Sequence, residues 1–135
     1  MIAELWFYKG PERFFGKLIR WYTKSRYSHV EIVVNGMAYG ADAWHGKVEA
    51  RSVYFFDRRH WDVVMVKTSA QQTWLDQQVG KKYDYLGILG FFAKGINAKK
   101  KWYCSELAAR FLGIQKNPID PQELYTIVAG GNYGG

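Results

Sequence analysis

SHVEIVVNGMAYGA, residues 28–41, decides the fold. Its first seven residues alternate around β-branched Val and Ile, the period of a half-buried strand. Asn35-Gly36 follows, a pair that accepts positive φ and so closes a two-residue hairpin, and MAYGA (37–41) returns as the partner strand. The alternation matters for chemistry as well as for folding: His29 and Glu31, two residues apart, project from one face.

Working outward, IAELWFY (2–8) reads as a further strand, ended by Gly10-Pro11. KVEARSV (47–53) and WDVVMVKT (61–68) continue the β pattern. Between the first strand and the hairpin, ERFFGKLIRWYTK (12–24) sets Phe14, Phe15, Leu18, Ile19 and Tyr22 on one helical face and Arg13, Lys17, Arg20 and Lys24 on the other. This predicts an amphipathic helix with a basic outer stripe able to hold an anionic partner.

After residue 68 the period becomes helical. AQQTWLDQQVG (70–80) has Ser69 as its expected N-cap and Gly80 as its stop, and YDYLGILGFFAKG (83–95) follows. CSELAARFLG (104–113) ends at Gly113, and DPQELYTIVAGG (120–131) opens with an Asp cap and a proline at the first helical position. AKKKWY (98–103) reads as a solvated loop and GGNYGG (130–135) as a mobile tail. Strands first and helices later predict an α+β fold: a small antiparallel sheet packed against helices, in a single domain over residues 1–135.

Composition narrows the partners. A net charge of +7 with 18% aromatic residues suits something anionic or planar: nucleic acid, acidic lipid or an anionic cell-wall polymer. Nucleic acid has no supporting motif. The N-terminus MIAELWFYKG lacks the basic start, apolar run and cleavage site of a signal peptide, so synthesis and folding in a cytoplasm are expected. The most apolar window, 85–96, is too short to span a bilayer and holds Gly87, Gly90 and Lys94, which leaves peripheral contact with a membrane. One cysteine excludes an internal disulfide and a Cys-rich zinc site, and the three histidines form no i, i+4 pair. No metal and no cofactor are expected.

The single cysteine lies in KWYCSELAAR (101–110), at a predicted helix start behind Lys99, Lys100 and Lys101. Helix N-termini and nearby cations favour the thiolate, and the free N–H groups of Cys104 and Ser105 suit an oxyanion. The other reading is a small buried hydrophobe. A nucleophilic thiol needs a base, and His29 at the head of an apolar strand is the best placed; it reads otherwise as a strand-end histidine bonded to backbone. His45 and His60 sit in turn-like polar settings. Glu31, Asp42 and His45 are the candidates for orienting the base. Glu106 is the acid of a helix first turn.

YSHVEIVVNG (27–36), GKKYDYLGILGFF (80–92) and WYCSELAARFLG (102–113), in that order, together resemble the circularly permuted branch of the NlpC-type papain-like cysteine hydrolases. The nearest look is to YiiX-like proteins and small related phage proteins; lecithin:retinol acyltransferase is a more distant relative. The resemblance implies a papain-like fold with the histidine strand before the cysteine helix, Cys104 as nucleophile and His29 as general base. It implies a site bordered by Tyr83 and Asp84 of a Gly-x-x-Tyr-Asp segment, and by Ser28, Tyr103 and Ser105. The substrate it implies is a peptide, a peptidoglycan-type amide or a lipid acyl group. If the chain is phage-encoded, as the small phage relatives suggest, it acts in the host cytoplasm or the virion. The chain departs from the family at Gly40 and Ala41, where many permuted members carry a third polar residue. Either Glu31, Asp42 or His45 takes that role, or the histidine is oriented less firmly.

Overall fold

A computed structural model describes residues 1–10, 26–42, 47–83, 101–102, 104–116 and 119–131, with backbone alone at 42, 83, 101 and 102. Its strands are β1 (Ile2–Tyr8), β2 (His29–Val34), β3 (Met37–Asp42), β4 (Lys47–Ser52), β5 (Trp61–Lys67), β6 (Lys82–Tyr83) and β7 (Lys101–Trp102). Three α-helices follow among the described residues: α1 (Gln72–Gln78), α2 (Cys104–Phe111) and α3 (Pro121–Ala129). The fold is α+β. The sheet order is β5-β1-β2-β3-β4-β6-β7, antiparallel through its five long strands, with the short β6 and β7 paired in parallel at one edge.

The hairpin forms as its sequence demands. Asn35 and Gly36 both take positive φ, 51° and 77°, the two-residue turn whose twist matches the flanking strands. The register Val34↔Met37, Val33↔Ala38 and Ile32↔Tyr39 follows from that turn. Alternation then sorts the side chains. Ala3, Leu5 and Phe7 of β1, Val30, Ile32 and Val34 of β2, and Tyr39 and Ala41 of β3 enter the main core with Leu107, Ala108 and Phe111 of α2. Trp6, Val33 and Ala38 enter a smaller cluster with Val53, Phe56 and Trp61. His29 and Glu31 fall in step with this second set, opposite Tyr8 and Trp6 of β1.

The helices meet their boundary signals with one exception. α2 ends as Gly113 turns to φ 76°, with Ile114 N–H bonded to the Ala109 carbonyl at 2.8 Å. Asp120 caps α3 by accepting from Glu123 N–H at 2.8 Å, and Pro121 sits at the first helical position. α1, however, starts at Gln72, and its N-cap is Gln71 with no side-chain cap bond, not Ser69. Thr68 takes over the preceding turn, its Oγ1 accepting from Ala70 N–H at 3.0 Å and donating to the Phe111 carbonyl at 2.8 Å. α1 is tied instead to the hairpin, through Asn35 to Gln72 and Tyr39 to Asp76.

Two further expectations need correction. Tyr83 belongs to strand β6, not to a helix start, and Lys101–Trp102 forms β7 where a loop was expected. Both segments are drawn into extended form by the sheet edge at β4, to which Lys82 pairs opposite Lys47. The expected basic helix at 12–24, with Arg13, Lys17, Arg20 and Lys24, and most of 83–95 lie outside the described residues. No helix among the described residues is long and apolar enough to cross a membrane.

Candidate active site

Cys104 is the first residue of α2 and His29 the first of β2. α2 packs against β2 and β3, so these two element ends meet, and the Cys104 side chain lies close enough to the His29 ring to act on its proton. Cys104 is only 1% exposed and belongs to the main core. The thiol is thus packed as a small hydrophobe would be, yet it has an imidazole partner that an inert core cysteine does not need.

Glu31 also stands beside the imidazole, its Oε1 3.6 Å from His29 Nε2. Its carboxylate is almost fully buried, at 2% exposure. Oε1 accepts a hydrogen bond of 3.0 Å from Arg51 Nη2, and Oε2 has no partner among the described residues. The space for this carboxylate comes from β3: a Cβ on Gly40 would fall 1.3 Å from Glu31 Oε2. The space above Gly40 on β3 is therefore occupied by the Glu31 carboxylate reaching over from β2.

Comparison with protein-family models, curated proteins and solved structures finds no match.

Of the other site residues, Ser28 is buried at the entry to β2, its N–H bonded to the Tyr8 carbonyl at 3.2 Å. Ser105 is buried too, but its hydroxyl donates to the Ile119 carbonyl, fastening α2 to the segment before α3 and leaving only its backbone N–H for a ligand. Glu106 pairs with Arg110 at 3.0 Å along its own helix. His60 stacks edge-on to Tyr8 outside the Cys104–His29 contact. His45, Asp84 and Tyr103 lie outside the described residues, as do the side chains of Asp42 and Tyr83. Among the described residues no group of three His, Cys, Asp or Glu side chains could hold a metal ion.

Arg51 and Gly40 are the participants that sequence reasoning missed. A glycine inside a strand often marks the close approach of another group, and this was the available signal for Gly40. Arg51 carried none, because the register of β4 is set by contacts beyond the hairpin.

The arrangement controls one proton in particular. Burial disfavours a charge on His29, but the Glu31 carboxylate and the polar contacts with Cys104 and Glu31 outweigh it and raise the pKa from 6.5 to about 10. A histidine with a raised pKa holds its proton more tightly when folded. Its stabilisation is complete below about 6.5 and is lost as the pH climbs through about 10. Denaturant unfolding across that window is expected to show stability declining steadily in the wild type and much less steeply in Glu31→Gln; a flat wild-type profile contradicts the assignment. Asp120, pushed up to about 6 by burial, has finished titrating near its start, and Tyr27 and Tyr39, raised by burial, ionise beyond its end.

Proposed function

We propose that this protein is a cysteine hydrolase or acyltransferase of the permuted papain-like kind, acting on a peptide, peptidoglycan-type or lipid acyl carbonyl. The observation that carries the reading is the chain of contacts from Cys104 at a helix N-terminus through His29 to the buried Glu31. Attack requires the sulfur as a thiolate, and a histidine that holds its proton near neutral pH is the cation that balances it, so that no external base is needed.

The Cys104 sulfur adds to the carbonyl carbon, and the oxygen takes the charge beside the N–H groups at the start of α2. His29 gives its proton to the departing amine, alcohol or thiol, and the tetrahedral adduct collapses to a Cys104 thioester. Neutral His29 then takes a proton from water or from an acceptor amine, whose oxygen or nitrogen attacks the thioester. Collapse returns the acid or the new amide, and the proton on His29 again faces the Cys104 sulfur. Glu31 stabilises the imidazolium at both stages. A net charge of +7 suits a substrate carried on an anionic polymer or lipid surface, and a reducing cytoplasm would keep the single thiol free.

Because the chain has one cysteine, the test is direct. Incubation with p-nitrophenyl acetate and with short and long acyl thioesters is expected to leave one acyl group per chain by intact mass, released by hydroxylamine and absent from Cys104→Ala. Equal labelling of Cys104→Ala, or no labelling by any of these acyl donors, rejects the proposal.

A further inference from the structure

Glu31 places a carboxylate in the protein interior with one oxygen lacking any hydrogen bond among the described residues. Such a group is costly, and a well-packed apolar residue is often the more stable choice. Two features hold it there. Arg51 pairs in register with Ala38, and Gly40 with Glu49, so β3 lies between Arg51 and Glu31. The strands carrying Arg51 and Glu31 are therefore roughly 10 Å apart, two sheet spacings. Their side chains meet at 3.0 Å only because β3 presents Ala38 and Gly40, which leave its surface low enough to be crossed.

We propose that Gly40 and Arg51 are positioning residues for the His29–Glu31 pair: Gly40 is the bare floor on which the carboxylate lies, and Arg51 is the clamp that keeps it turned toward the imidazole. Their catalytic meaning rests on the acyl-transfer reading above; the positioning itself does not. Arg51 is suited to a clamp. Its guanidinium lies 5.1 Å from the Phe56 ring centroid, which fixes its plane, and it reaches a carboxylate oxygen that also faces His29. Among the described residues the groups around His29 are Glu31 beside it, Arg51 beyond that carboxylate, Cys104 from α2, Tyr8 across on β1 and the Trp61 ring of β5 at 6.4 Å.

The sign of one measurement separates a clamp from a bystander. Taking away a cation near His29 would by itself raise the histidine's titration midpoint, because like charges repel. Loss of positioning acts the other way, since a carboxylate that swings aside no longer favours the imidazolium. NMR titration of histidine-labelled protein is expected to show the His29 midpoint fall by about one pH unit or more in Arg51→Met and in Gly40→Ala, with partial recovery in Arg51→Lys. A midpoint that holds or rises in Arg51→Met and Gly40→Ala overturns the proposal. Gly40→Ala should fold, because the atom it displaces is the far end of a flexible side chain; were it not to fold, Arg51→Met, at a side chain 41% exposed, decides the matter. Iodoacetamide labelling of Cys104 in wild type and His29→Ala is read alongside. If removing His29 leaves labelling unchanged, the acyl-transfer reading fails, while the titration still decides the clamp.

Discussion

Replacing His29 by alanine is expected to slow acylation of Cys104 by on the order of 10⁴-fold or more while leaving the protein folded. The size follows from the two jobs the imidazole has in the proposed cycle. It holds the proton that the sulfur must not carry during attack, and it delivers that proton to the leaving group. Alanine does neither, and a buried thiol at 1% exposure has no bulk base at hand to substitute. The fold should survive because His29 stands at the end of β2 with its side chain 20% exposed, and Glu31 keeps its bond to Arg51. The wild-type protein offers a second reading of the same group. With the His29 pKa near 10, acylation should decline as the pH rises through that value, because the imidazolium that protonates the leaving group disappears. Quenched-flow acylation by an alkyl thioester, whose thiolate leaving group is basic enough to take the proton, followed from pH 6 to 11 in both proteins, measures both effects. A His29→Ala rate within tenfold of wild type would remove His29 from the mechanism.

The elements that position this histidine were legible in the sequence because their signals are local. Asn35-Gly36 fixes a turn, the turn fixes the register, and the register fixes which residues of β2 and β3 face each other. That His29 and Glu31 share a face needed only the period of a strand. Cys104 at a helix start was readable from the helix formers that follow it, and its closeness to His29 was implied by the order of the three family-like blocks. The remaining parts of the site arise from contacts that no local pattern encodes. Glu31 leans over Gly40 because the side chain opposite is missing, and it stays because Arg51 crosses β3 from two strands away. Ser105 was read as lining the site, but its hydroxyl is taken by the Ile119 carbonyl, a residue fourteen positions on. The helix start at Gln72 was missed for a similar reason: Thr68 answers to the end of α2 as well as to its own turn.

The second large effect belongs to the helix rather than to the imidazole. Leu107→Ala is expected to destabilise the protein by about 2–5 kcal/mol, the range for emptying a fully buried leucine site. Leu107 is 0% exposed and packs in the main core with α2 neighbours Ala108 and Phe111. Cys104, Leu107, Ala108 and Phe111 recur at helical spacing, so one face of α2 carries both the proposed nucleophile and the residues that hold the helix to β2 and β3. By contrast, Arg110→Ala removes a half-exposed partner of Glu106 on the same helix, and an effect of about 1 kcal/mol or less is expected. Urea unfolding of both variants gives the comparison; a Leu107→Ala loss below about 1 kcal/mol would mean that the helix is not anchored through this face. Such anchoring also bears on the chemistry. If the face of α2 sets where the sulfur sits, Leu107→Ala should lower the acylation rate even under conditions where the variant is fully folded, because small displacements of a reacting atom are costly in rate. Stability and activity would then fall together in Leu107→Ala and separately in His29→Ala, which distinguishes the residue that places the sulfur from the residue that activates it.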